Sequence, residues 1–111
     1  MSIKGSSHAH FRAALRSGNL LRIQAAAAEL AGGVTLADAL RICVLMSAQD
    51  DERFDRAAAR WVARLTLERP RVGLEDLRRG LYALEALPYN PHGARQALRD
   101  LCAAHGVPCE W

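Results

Sequence analysis

Three side chains that could bind a transition metal lie within eight residues of one another. Cys102, His105 and Cys109 offer two thiols and an imidazole, which are ligands that zinc prefers in proteins. On a helix, Cys102 and His105 lie one turn apart and could bind one ion together. The chain lacks the second cysteine pair of a strong zinc signature. We therefore treat the three residues as weak metal candidates and expect no bound metal or other cofactor.

The same stretch also fits the end of a helix. Cys102 continues an apolar stripe as a small packing residue, and His105 lies in a last turn, where positive charge suits the helix dipole. Gly106 is then a typical helix stop, with Pro108 beyond it. We expect a helix that ends at about His105 and a loose tail over 107–111, in which Cys109 trails into solvent.

An arginine ladder is the strongest predicted binding surface. In the fourth predicted helix, arginines recur at the three- and four-residue spacing of neighbours on one helix flank. The ladder comprises Arg53, Arg56, Arg60 and Arg64, and a later helix adds Arg78 and Arg79. Guanidinium groups bind carboxylates and phosphates well, so this flank indicates an acidic protein surface or a nucleic acid. A solvated flank with intrahelical ion pairs, such as Glu52 with Arg56, is the other interpretation.

No pattern in the chain indicates catalysis. The sequence has no glycine-rich phosphate loop, no nucleophile elbow and no paired histidine–carboxylate motif. The net charge of +3 is mild and concerns solubility and weak association rather than chemistry. We therefore predict a protein without enzymatic activity.

The composition predicts that helices position all of these side chains. Half of the residues are apolar, but only 5% are aromatic, and alanine and leucine make up most of the apolar set. Both are strong helix formers, whereas residues that favour strands are sparse. The predicted fold class is all-α.

Helix start and stop signals divide the chain into about six helices. Glycines and prolines separate the segments, and Asn19 and Asn90 are predicted N-caps. The first helix is expected from about His8, with residues 1–7 loose. Short connections predict three antiparallel helical hairpins in a compact bundle. A match of "VTLADALR" with "VGLEDLRR", 38 residues apart, makes a short helical-repeat-like stack an alternative.

Two of the predicted helices indicate how the bundle packs. The third, "LADALRICVLMSA", is apolar on almost every side, so we expect it to be central or to be covered by a second subunit. On the fifth, we expect one stripe to face the core, and Gly80 to allow close approach of another helix. The predicted stripe comprises Leu74, Leu77, Leu81 and Leu84.

Length and cysteine content bound the class of protein. A chain of 111 residues is expected to form a single domain. Three cysteines are too few for a disulfide framework, and no secretory signal leads the sequence, so we expect a cytoplasmic protein with free thiols. The longest apolar run, "ICVLM", is far shorter than the ~20 residues that span a bilayer. The abundance of alanine and arginine is typical of a GC-rich bacterial genome.

These patterns predict a small non-enzymatic helical module that interacts with proteins. Self-association through the third helix, or through the arginine flank of the fourth, is one form of that interaction. The alternative is a nucleic-acid-binding regulator that uses the six arginines named above. We expect no membrane association, and the sequence identifies no small-molecule ligand.

Overall fold

Six α-helices and no strand are found in the described part of the chain. The computed structural model describes residues 3–111, with side chains described from Ser6 onward. The helices are α1 (Ile3–Ser17), α2 (Leu20–Ala28), α3 (Leu36–Ala48), α4 (Phe54–Glu68), α5 (Leu74–Ala86) and α6 (Pro91–Ala104). The predicted all-α class is therefore confirmed.

Consecutive helices pack as hairpin-like pairs. The pairs are α1 with α2, α3 with α4, and α5 with α6, as the short connections predict. The contacts also divide the chain into a unit that ends at Thr35 and a second unit, Leu36–Trp111. Within the second unit, α4 also contacts α5 and α3 contacts α6, so four helices share one core. The internal repeat stays a prediction, although α3 and α5 have the same length of 13 residues.

In the first unit, the predicted cap between the two helices is confirmed. Gly18 ends α1 with a φ of +68°, a left-handed conformation that glycine adopts without a Cβ clash. The side chain of Asn19 accepts a hydrogen bond from the Arg22 N–H at 3.2 Å and so caps α2. α2 ends at Ala28, before the predicted stop at Gly32.

The first helix is longer than predicted. It begins at Ile3, so the prediction of a loose segment over 1–7 is wrong from Ile3 onward. Met1 and Ser2 lie outside the described residues. The physical reason is that extending a formed helix adds a hydrogen bond for each residue that is fixed, whereas only nucleation is costly.

Trp61 is the largest fully buried side chain of the core in the second unit. Its indole N–H donates a hydrogen bond to the Leu36 carbonyl at 2.8 Å and thereby ties α4 to the first residue of α3. Ala58 and Leu65 are buried on the same face of α4, as its spacing predicts. The third helix contributes Leu40 and Cys43 to this core.

The predicted core stripe of α5 is confirmed only at Leu84, which is buried, and in part at Leu77, which is half-buried. Leu74 is 76% exposed and Leu81 is 44% exposed, whereas the buried residues of this helix are Gly80, Ala83 and Leu84. The close approach at Gly80 is confirmed, since a Cβ atom placed there would lie 3.1 Å from Cδ2 of Leu101. This contact with α6 turns the small residues of α5 inward and leaves two of the four leucines, Leu74 and Leu81, exposed.

The prediction of a loose tail over 107–111 is also wrong. Gly106 adopts a φ of +69° just after α6, and the Val107 N–H then donates to the Cys102 carbonyl at 2.8 Å. This turn reverses the chain, so that Val107 is buried and Trp111 packs against the core. Burial of apolar side chains is the physical reason that the tail folds back.

Candidate functional site

The structure breaks up the predicted arginine ladder. α4 begins at Phe54, so Arg53 precedes the helix and its side chain turns back to Asp51, with Nη2 and Oδ2 at 2.8 Å. Hydrogen bonds from Arg53 hold the pKa of the Asp51 carboxyl at about 2, well below its usual range. Arg64, at the other end of the ladder, pairs with Glu68 at 2.8 Å.

Two members of the ladder keep a free outward face. Arg56 and Arg60 are exposed, and none of the ion pairs found among the described residues involves them. They lie four residues apart on α4 and therefore share one flank. A strip of two guanidinium groups is a much smaller basic surface than the sequence predicts.

Arg78 and Arg79 lie on the edge of a groove between α5 and α6. Arg79 pairs loosely with Glu75 on its own helix, at 3.5 Å. The groove encloses about 630 Å³, and five of the thirteen residues that line it are alanines. The residues that line it are Asp76, Arg78, Arg79, Tyr82, Ala83, Ala86, Asn90, Gly93, Ala94, Ala97, Asp100, Leu101 and Ala104.

Exposed large apolar side chains are concentrated on α5 and in the turn that follows it, and we call these side chains the α5 patch. It comprises Leu74, Leu81, Tyr82 and Tyr89. These are four of the six large hydrophobic side chains found exposed in residues 6–111. Leu74 and Leu81 are seven residues apart and lie on one side of α5, while Tyr82 joins the patch to the groove. In proteins generally, a contiguous exposed apolar surface is typical of an interaction site, whereas scattered apolar side chains are not.

The third helix does not offer a comparable surface. Leu36, Leu40 and Cys43 are buried, and its other large apolar residues are half-buried. Self-association through this helix was one of the forms predicted, and α5 has the more exposed apolar face.

The three weak metal candidates do not converge on one point. The Cys102 S–H donates a hydrogen bond to the sulfur of Cys109, which lowers the pKa of the Cys109 thiol and raises that of Cys102. His105 turns elsewhere, with Nε2 at 3.2 Å from Oδ2 of Asp76. No group of three or more histidine, cysteine, aspartate or glutamate side chains suited to a metal ion is found within the described residues. Cys102 and Cys109 thus form a pair without His105.

Comparison with known proteins adds no relative to this description. No protein-family model, no curated protein and no solved structure matches the chain. A membrane-spanning helix is likewise not found in the described part of the chain, where every helix is too short or too polar.

The sequence analysis placed Leu74 and Leu81 in the core. It did not predict that Tyr82 and Tyr89 belong to an interaction surface. Leucines at positions 74 and 81 follow a helical stripe, so periodicity alone turns them inward. The sequence analysis did predict a close approach at Gly80 but did not use it to orient the stripe, although a helix that packs closely at a glycine must face its neighbour with that side. Ala83 lies on the same side as Gly80, which directs Leu74 and Leu81 away from α6.

Proposed function

We propose that the protein is a small non-enzymatic interaction module that self-associates through the α5 patch. The observation that carries this proposal is the concentration of exposed large hydrophobic side chains on one helix and the turn after it. Tyr82 and Tyr89 suit an interface, because tyrosine combines a large apolar ring with a hydroxyl that can remain hydrogen-bonded.

Charge at the groove favours a second copy of the chain as the occupant. The α5 edge carries Arg78 and Arg79 together with Asp76, and the α6 edge carries Asp100. A two-fold axis brings each surface against itself, so a patch with both signs of charge can place the arginines of one copy against the carboxylates of the other. The five alanines that line the groove allow close approach of a helix from the second copy.

Light scattering on the purified protein over a range of concentrations tests the proposal. We expect a concentration-dependent dimer, and we expect Leu74→Glu combined with Tyr82→Glu to weaken it at least about tenfold, because truncated central interface residues typically cost over ~1 kcal/mol each. A wild-type protein that stays monomeric at the highest attainable concentration contradicts the proposal.

Leu21→Glu is the matched control for the change at Leu74. Leu21 is 77% exposed, and like Leu74 it lies in the first turn of a helix, where an added carboxylate suits the helix dipole. We expect this variant to dimerise as the wild type does. Equal loss of the dimer in both variants would show that added charge, rather than the α5 patch, causes the effect.

The alternative prediction is a nucleic-acid-binding regulator that uses the six arginines. Of these, Arg56 and Arg60 remain exposed on α4 and outside the ion pairs found, and Arg78 and Arg79 are exposed on α5. The test of this alternative is binding to nucleic acid at two salt concentrations, since affinity that depends on phosphate contacts falls steeply with salt. Arg56→Glu with Arg60→Glu should then abolish binding while leaving dimerisation unchanged. A gel shift lost in this variant, together with a monomeric wild type, would favour the alternative.

A further inference from the structure

Two thiols meet at the point where the chain turns back after α6. Cys102 is fully buried near the end of the helix, and Cys109 is half-buried in the returning segment. The backbone holds this return: the Val107 N–H donates to the Cys102 carbonyl at 2.8 Å, and the Cys109 N–H donates to the Val107 carbonyl at 3.0 Å. Cys109 packs against the core that contains Cys102, and the two thiols shift each other's pKa.

The segment around Cys109 is held by the core and by contacts of Trp111 with two arginines of α6. Cys109 and Trp111 both pack against the core that contains Cys102. The Trp111 ring lies 5.5 Å from the guanidinium of Arg95 and 5.9 Å from that of Arg99. The Arg99 Nη1 also donates to the Trp111 carbonyl at 2.9 Å. These contacts keep the two thiols adjacent without any need for the chain to close a loop during a reaction.

The two cysteines are not equivalent. Solvent reaches Cys109, whereas Cys102 and the third cysteine, Cys43, are buried. The hydrogen bond from the Cys102 S–H stabilises a thiolate at Cys109 and lowers its pKa, against the opposing effects of burial and of the nearby Asp38 carboxylate. Cys109 is therefore the thiol that ionises first, and the thiolate is the reactive form of cysteine.

We propose that Cys102 and Cys109 form a dithiol site that hydrogen peroxide oxidises to an intramolecular disulfide. The Cys109 thiolate attacks one peroxide oxygen, the O–O bond breaks, and hydroxide leaves and takes up a proton to become water. Cys109 is then a sulfenic acid. The sulfur of Cys102 attacks the sulfur of Cys109, the S–O bond breaks, and a second water leaves with the Cys102 proton. Two thiols have lost two electrons and two protons, and one peroxide has become two waters. This site is independent of the α5 patch.

Peptide mapping after limited oxidation tests the proposal. The reduced protein is treated with an equimolar amount of hydrogen peroxide, unfolded, alkylated and digested with trypsin. Cleavage after Arg99 leaves Cys102 and Cys109 in one peptide, and cleavage after Arg41 places Cys43 in another. We expect the first peptide to lose two hydrogen atoms and to carry no alkyl group, and dithiothreitol to reverse this change.

Cys43 serves as the internal control in the same sample. Its burial raises the pKa of the thiol to about 12, so it should remain reduced and be fully alkylated after unfolding. A Cys102→Ala variant should stop at the sulfenic acid of Cys109, which dimedone traps. Three outcomes overturn the proposal: sulfinic acid at Cys109 with Cys102 still alkylated, oxidation of Cys43 at an equal rate, or disulfides only between chains. The wild-type map decides the question even if the variant does not fold.

Discussion

Gly80 sets how closely α5 and α6 approach, so its replacement tests the packing that turns the α5 patch outward. A Cβ atom at this position would lie 3.1 Å from Cδ2 of Leu101, which is shorter than the optimum of about 3.5–4.0 Å between carbon atoms. Leu101 is 7% exposed, and its side chain also lines the groove between the two helices. We therefore expect a small side chain at Gly80 to displace the end of Leu101, and a large one to push α6 away from α5.

The size of the effect depends on the side chain introduced. Gly80→Ala gains ~1 kcal/mol of helix propensity and loses a comparable amount in the short contact, so the free energy of unfolding should change by under ~1 kcal/mol. Gly80→Leu forces three more carbon atoms into the contact, and overpacking of this kind costs about 1–3 kcal/mol. Because the gain in propensity is offset by the short contact of the Cβ atom, we expect a net loss of ~1–3 kcal/mol, with a fall in Tm of roughly 4–8 °C for each kcal/mol.

Urea unfolding followed by circular dichroism measures these changes. Gly32→Leu is the matched control, because a Cβ atom at Gly32 meets nothing within 4 Å. The decisive comparison is a double-mutant cycle of Gly80→Leu with Leu101→Ala, which removes the side chain in the way. We expect the two changes together to be at least ~1 kcal/mol less destabilising than their sum. Additive effects, or a Gly80→Leu variant as stable as the wild type, would refute the packing described here.

Three further predictions concern contacts elsewhere in the second unit. Arg69→Met removes the hydrogen bond from Nε to the His105 carbonyl at 2.8 Å, and should lower the free energy of unfolding in urea by about 1–2 kcal/mol. Trp61→Phe leaves the Leu36 carbonyl without its indole donor and should cost about 2–3 kcal/mol by the same measurement, so a smaller loss than ~1 kcal/mol would contradict the burial of that bond. Asp51 has a folded-state pKa of about 2 against an ordinary 3.8, so its carboxylate stabilises the fold above about pH 4 and this contribution is lost as the pH falls towards 2. Asp51→Asn should therefore make stability less steeply dependent on pH between 4 and 2, and an unchanged slope would show that the ion pair does not persist in solution.

The positions of the helix ends were largely readable from the sequence. Asn19 and Asn90 each accept a hydrogen bond from the backbone N–H three residues later, as their residue types predict. Gly18 and Gly106 follow helix ends in left-handed conformations. Such signals need only the neighbouring turn of the chain, so a sequence contains all the information on which they depend.

The candidate site was less predictable, because its residues are identified by their exposure to solvent, and exposure depends on how the helices pack. Leu74 and Leu81 fit an inward stripe as well as an outward one, and the pattern of apolar residues cannot distinguish the two. The contact of Gly80 with Leu101 selects the outward one. The arginine ladder was predicted by spacing alone, whereas the start of α4 and the partner acids decided which guanidinium groups remain available.

The sequence by itself thus determined the six helices, the asparagine caps of α2 and α6 and the glycine stop after α6, because these features depend on residues three or four positions apart. Only the tertiary structure decided which side of α5 is buried and where the chain goes after Gly106. Both depend on contacts between residues distant in sequence: α6 approaches α5 at its glycine, and Val107 is buried once the chain reverses. That reversal brings Cys109 to Cys102, while His105 pairs with Asp76 of α5 instead.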